Sequence, residues 1–75
     1  MTERLPQVKA KELVRVLERL GFIVRRQTGS HCILKNQESG KMVSVPMHNG
    51  DIKRGLLFGI LKQAGIEAKE FLDNV

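Results

Sequence analysis

The sequence predicts an α+β fold in which a three-stranded antiparallel sheet carries two helices on one face and a short third helix follows. Apolar residues repeat with helical spacing before residue 21 and after residue 52, and three short runs between them have strand character. Turns with glycine separate those runs, as in an antiparallel meander. Because 75 residues allow one small core, we expect residues 1–75 to form a single domain.

The first helix is predicted over residues 10–20, after a polar lead-in over residues 1–7. Its apolar stripe, at i, i+3, i+4 and i+7, consists of Leu13, Val16, Leu17 and Leu20. Gly21 follows where a left-handed C-cap is favourable. Four basic residues lie off the stripe, on what we expect to be a solvated face rather than an RNA-binding surface: Lys9, Lys11, Arg15 and Arg19.

The three strands are predicted over residues 22–27, 31–36 and 42–45. Side chains alternate between the two faces of a strand, which predicts four residues packed beneath the helices: Cys32, Leu34, Val43 and Val45. The same alternation leaves His31 on the open face or at its edge. As the first residue after the Gly29-Ser30 turn, His31 lies near solvent, where an imidazole is suited to proton transfer.

The second helix is predicted over residues 52–64, with Asn49 or Asp51 as its N-cap and Gly65 at its end. Its buried stripe consists of Leu57, Ile60, Leu61 and Ala64. Gly55 and Gly59 are unusual, since each glycine inside a helix costs about 0.5–1 kcal/mol relative to alanine. Close approach of a neighbour or ligand explains both, and tolerance near the helix start explains Gly55 alone.

The third helix is predicted over residues 68–73, because Ile66 and Phe71 are spaced as a hydrophobic staple around Glu67. The complete order, α-β-β-β-α with a terminal helix, is the layout of double-stranded-RNA-binding domains. That layout does not by itself select a function.

The charge and the cysteine content limit the function classes. With 13 Lys and Arg against 8 Asp and Glu, the chain carries a net charge of +5, which favours RNA or DNA as a partner. A charged surface that only maintains solubility explains the same numbers. One cysteine excludes an intrachain disulfide and fits a reducing compartment. Without a long apolar run or a signal-peptide core, we expect a cytoplasmic protein that does not contact membranes.

Four segments together carry a family resemblance: Gly21-Phe22, Gly29-Ser30-His31, Val-Ser-Val-Pro-Met-His over residues 43–48, and residues 55–66, ending in Ile-Leu-Lys-Gln-Ala-Gly-Ile. In this order they resemble the HicA-type, or YcfA-like, toxins over roughly residues 8–73. The resemblance implies a double-stranded-RNA-binding-like fold, endonucleolytic cleavage of mRNA, and neutralisation by a HicB-type antitoxin. It places the family's catalytic histidine at His31 and its second histidine at His48. Many members have threonine where this chain has Leu56.

Cleavage of RNA without a metal ion uses the 2′-hydroxyl as the nucleophile and needs a base, an acid and cations. Histidine suits either proton-transfer role, which fits the catalytic role that the resemblance implies for His31. The expected neighbours of the site or contacts to RNA are Ser30, Arg25, Arg26, Lys35, His48, Lys53 and Arg54. The chain has no Trp or Tyr, so recognition is expected to rest on phosphates and 2′-hydroxyls rather than on base stacking.

Two other functions fit the same residues. The first is a non-catalytic RNA-binding module on the same fold. The second is a docking protein in which Leu56 and Phe58 receive another chain, which also suits the antitoxin surface of a toxin. A metal site at His31, His48 and Cys32 is disfavoured, because adjacent strand residues point to opposite faces, and no cofactor is expected.

Overall fold

The computed structural model describes residues 5–48 and 50–75. The elements in chain order are β1 (Val8–Lys9), α1 (Ala10–Arg19), β2 (Phe22–Gln27), β3 (His31–Asn36), β4 (Met42–Pro46), β5 (Asp51–Ile52), α2 (Arg54–Ala64) and α3 (Ala68–Asp73). The predicted α+β class and the α-β-β-β-α order are therefore confirmed. The predicted N-cap Asn49 lies outside the described residues.

The main sheet has the strand order β2-β3-β4, with both pairs antiparallel. Cys32 lies opposite Val45, and Leu34 lies opposite Val43, so these four side chains share one face. All four are buried, as predicted, and α1 and α2 pack on the same side. The opposite face of the sheet is left open, and it includes His31.

A β-bulge in β2 was not predicted. The pairing moves from Val24 opposite Leu34 directly to Arg26 opposite Ile33, so Arg25 is an extra residue. The bulge reverses the alternation beyond it and places Arg26 on the open face with Ile33.

A second, two-stranded sheet was also missed. In it β1 pairs with β5, so that Val8 lies opposite Ile52 and Lys9 lies opposite Asp51. Val8 and Ile52 are both buried. Pairing between two-residue segments so far apart in the chain leaves no periodic signal in the sequence.

This second sheet corrects the predicted start of α2. Ile52 lies in β5, so α2 begins at Arg54, and its N-cap is Lys53, which makes no side-chain capping bond. The predicted cap Asp51 is therefore wrong, because this residue belongs to the strand that pairs with Lys9. The polar lead-in was wrong in one respect, since Leu5 is fully buried.

Both predicted glycine caps are confirmed. Gly21 and Gly65 have φ angles of +98° and +73°, the left-handed region that favours glycine. Gly55 and Gly59 are different, because a Cβ atom added at either would meet no atom of the described residues within 4 Å. Close approach by those residues therefore does not explain these two glycines.

One hydrophobic core joins the helices and both sheets, and it extends from Leu5 to Phe71. The third helix spans residues 68–73 as predicted, and it buries Phe71 completely. Within the described residues, no helix is long and apolar enough to cross a membrane.

Candidate functional site around His31

The turn between β2 and β3 holds the backbone of His31 on both sides. The backbone N–H of His31 donates to Thr28 Oγ1 at 3.0 Å, and Thr28 Oγ1 donates to the carbonyl oxygen of His31 at 3.3 Å. The backbone N–H of Thr28 donates to the same carbonyl at 2.8 Å. A short polar side chain can satisfy neighbouring backbone groups in this way. The turn therefore fixes the backbone of a residue whose side chain is exposed.

Ser30 contacts the imidazole itself. Its Oγ lies 3.1 Å from Nδ1 of His31, within hydrogen-bond distance. The direction of this bond sets the tautomer: if Ser30 donates, Nε2 carries the proton, and if Nδ1 donates to Ser30, a neutral ring has its lone pair at Nε2. In both cases Nε2 is the ring nitrogen left for proton transfer.

The segment that contains His48 adjoins this turn. His31 lies opposite Pro46 across the β3–β4 pair, and the backbone N–H of Met47 donates to the carbonyl of Ser30 at 2.8 Å. His48 is exposed and follows directly. The structure thus brings the two histidine-bearing segments together at one rim of the sheet.

The structure distributes the predicted cations unevenly around His31. Arg26 lies on the open face opposite Ile33, two residues along β3 from His31, and Arg25 is the bulged residue beside it. Lys35 shares that face but lies four residues from His31, about 13 Å at 3.3 Å per residue. Lys35 therefore belongs to the far end of the sheet.

Lys53 and Arg54 are exposed at the junction of β5 and α2. β5, the strand that precedes them, pairs with β1 and not with the sheet that holds His31. Sequence order suggested that these two residues add phosphate contacts, and the structure places them on a different element from the histidine turn.

Two exposed apolar surfaces flank these elements. Leu56 and Phe58 on α2 retain 44% and 46% of their accessible surface. The second surface was not predicted: Ile23 and Met42 lie on either side of Lys35 on the open face of the sheet, at 46% and 51% exposure. The structure therefore offers a helix surface and a sheet surface to a partner.

Cys32 lies on the opposite face from His31. Burial raises the pKa of its thiol, and the negative charge of Glu18 raises it further, so the group stays protonated at neutral pH. In the described part of the chain, no group of three or more His, Cys, Asp or Glu residues is arranged to hold a metal ion.

Comparison with models of known protein families identifies the family of this chain. The family model described as the HicA toxin of bacterial toxin–antitoxin systems matches residues 10–66, which are 57 of the 75 residues. The chain belongs to the HicA toxin family. The matched region runs from α1 through the Ser30-His31 turn and α2, whereas β1 and α3 lie outside it. No curated relative matches the chain.

Membership of the HicA family confirms the resemblance seen in the sequence and makes this protein the toxin of a toxin–antitoxin system. It also implies an antitoxin partner. In this HicA toxin the Thr28-Gly29 pair beside Ser30 indicates the turn from the sequence, but the bonds by which Thr28 holds the His31 backbone were not predicted.

Proposed function

We propose that this HicA toxin is an endoribonuclease that cleaves mRNA without a metal ion, with His31 as general acid or general base. The observation that carries the proposal is an exposed imidazole whose Nδ1 is engaged by Ser30 and whose backbone is held by Thr28. Such positioned proton transfer typically contributes about 10²- to 10⁴-fold to a rate. An mRNA substrate places this activity in the cytoplasm.

The chemistry follows from the substrate. The 2′-hydroxyl oxygen attacks the adjacent phosphorus while the bond from phosphorus to the 5′-oxygen breaks, which leaves a 2′,3′-cyclic phosphate and a 5′-hydroxyl. One group accepts the proton of the 2′-hydroxyl and another protonates the leaving oxygen, and Nε2 of His31 performs one of these transfers. Arg26, on the same face as His31, is the cation we assign to the phosphate charge.

The other predicted site residues and RNA contacts keep their roles in this proposal, some beside His31 and others farther along the RNA strand. Ser30 orients the imidazole, Arg25 and His48 border the same rim, and Lys35, Lys53 and Arg54 bind more distant phosphates of the RNA. Because these contacts are to the backbone of RNA, binding weakens steeply as salt rises.

The first prediction concerns the nucleophile. Purified toxin incubated in EDTA should cut a long single-stranded RNA, and it should not cut the same sequence made with 2′-deoxynucleotides, because the attacking hydroxyl is missing. Gel electrophoresis of both substrates measures the difference, and mass spectrometry of the RNA fragments should find cyclic phosphate ends.

Cutting of the deoxy substrate would contradict the internal nucleophile. If the toxin binds RNA but cuts neither substrate, the alternative of a non-catalytic RNA-binding module is favoured. Leu56 is then the first residue to change, since threonine is common at this position in the family.

We further propose that a HicB-type antitoxin docks on the outward face of α2, which Leu56 and Phe58 border from opposite sides because they lie about 200° apart around the helix. Both side chains keep nearly half of their surface exposed. Gly55 and Gly59 lie on the same helix with open space where a side chain would be, so a partner can approach the backbone closely. An aromatic side chain that becomes buried on binding is a common source of affinity at protein interfaces.

The second prediction tests this surface. Phe58→Ala should weaken antitoxin binding by about 2 kcal/mol, roughly 30-fold, as expected for a central aromatic anchor. Isothermal titration calorimetry with the purified antitoxin measures the change. Met42→Ala is the matched control, because Met42 is equally exposed but lies on the sheet. If Met42→Ala weakens binding and Phe58→Ala does not, the antitoxin occupies the sheet instead.

A further inference from the structure

A cleft of about 420 Å³ opens between the start of α1 and the segment that follows β4. Lys9 and Lys11 line it from one side, and Met47 and His48 line it from the other. Its volume falls within the range of about 300–1,000 Å³ that is usual for ligand sites. The pairing of β1 with β5 forms this cleft, because it brings the start of α1 to the segment before β5.

The cleft adjoins the turn that carries His31. Its Met47 wall is joined to that turn by the hydrogen bond from the Met47 N–H to the Ser30 carbonyl, at 2.8 Å. Pro46, the residue before Met47, lies directly opposite His31. Cross-strand Cα atoms are about 4.5–5.5 Å apart and consecutive Cα atoms about 3.8 Å apart, so the cleft begins within about 10 Å of His31.

The charges of the cleft select an anionic occupant. Lys9 and Lys11 are both exposed, and each supplies an ammonium group. Glu12 is the acid in the described lining, and its Oε1 accepts the backbone N–H of Lys9 at 3.2 Å, which caps α1. Asp51 lies opposite Lys9 in the β1–β5 pair but does not line the cleft. The described lining is thus basic overall.

We propose that this cleft is a second binding subsite for the RNA strand, in which Lys9 and Lys11 contact phosphates of the nucleotides that flank the bond cut at His31. The inference rests on the proposed ribonuclease function. It changes the interpretation of both lysines, which the helical pattern alone placed on a solvated face. In this proposal His31 takes part in cleavage, and the cleft positions the RNA strand for it.

The third prediction measures RNA affinity as a function of salt. A fluorescent single-stranded RNA of mixed sequence is titrated with His31→Ala toxin, so that the probe stays intact, and with the same protein carrying Lys9→Gln and Lys11→Gln. The slope of log Kd against log salt concentration should fall by about 1.4, since each phosphate contact on a single strand contributes about 0.7. Lys11→Gln alone should lower it by about 0.7.

Lys62→Gln with Lys69→Gln is the matched control, because it removes the same net charge from α2 and α3, outside the cleft. An unchanged slope in this control and a reduced slope in the cleft variant support the proposal. Equal losses in both overturn it, since the lysines then act only through net charge.

Two other outcomes are informative. A cleft variant that binds RNA normally but loses the antitoxin would make the cleft a protein-docking site and overturn the proposal. If the parent His31→Ala protein and the wild type both fail to bind RNA at any salt concentration, the ribonuclease function itself fails and the subsite fails with it. Circular dichroism confirms that each variant is folded.

Discussion

Replacing His31 with alanine should leave the HicA toxin folded while lowering RNA cleavage about 10²- to 10⁴-fold. The side chain is exposed, and its bond to Ser30 is at the surface, so removal should change the free energy of unfolding by no more than about 0.5 kcal/mol. Initial cleavage rates in EDTA and thermal unfolding followed by circular dichroism test both expectations on the same protein.

His48→Ala is the control that separates the two histidines. His48 borders the same rim, but Nδ1 of His31 is the atom that Ser30 engages, so the loss should be smaller for His48→Ala. Cleavage by His31→Ala at the wild-type rate would contradict the catalytic assignment. If His48→Ala lowers the rate as much as His31→Ala does, one histidine is the general acid and the other is the general base. Two proton transfers require two such groups.

Ser30→Ala distinguishes positioning from catalysis. It leaves the imidazole in place but removes the contact to Nδ1. We expect kcat to fall partially while KM for RNA stays unchanged, because the hydroxyl orients the imidazole and does not hold the strand. A variant that disturbed the fold would instead lose its circular dichroism signal and its affinity for RNA together with the rate.

The parts of the fold that are encoded locally could be predicted from the sequence. The helix stripe around Leu13, the strand that begins at His31 and the left-handed Gly65 all follow from periodicity or turn chemistry within a few residues. The β1–β5 pair and the bulge at Arg25 could not be predicted, because each depends on a partner strand elsewhere in the chain.

The same distinction applies to the candidate site. His31 could be found from Gly29-Ser30-His31 and its place at a strand rim, and the Thr28 contact is also local. The cleft could not be found, because it exists only when the start of α1 and the segment after β4 are brought together. Lys35 shows the converse situation: it is close to His31 in sequence and on the same face, yet strand geometry separates the two by about 13 Å.

Residues outside the region that the family model matches also pack into the core. That match ends at residue 66, but α3 follows it and places Phe71 in the common core with no exposed surface. The Arg19 guanidinium on α1 donates to the carbonyl oxygen of Asn74 at 2.8 Å, which ties the end of α3 to the first helix. We therefore propose that residues 1–75 fold as one unit.

Phe71→Ala should lower the free energy of unfolding by about 3–5 kcal/mol, because it removes a fully buried aromatic ring and leaves a cavity. Domains of this size are stable by only about 4–11 kcal/mol, so the substitution should remove between about a quarter and all of the stability. Urea unfolding followed by circular dichroism at low temperature measures the difference.

Leu72→Ala on the same helix is the matched control. Leu72 is only partly buried against the core, so truncation should cost well under half as much. If Phe71→Ala lowers the free energy of unfolding by less than about 1 kcal/mol, α3 does not stabilise the core and the folding unit ends near residue 66. A large cost for Phe71→Ala and a small cost for Leu72→Ala would instead make α3 an integral part of the folded toxin. Both substitutions raise helix propensity, so a difference between them reports the burial of the Phe71 ring.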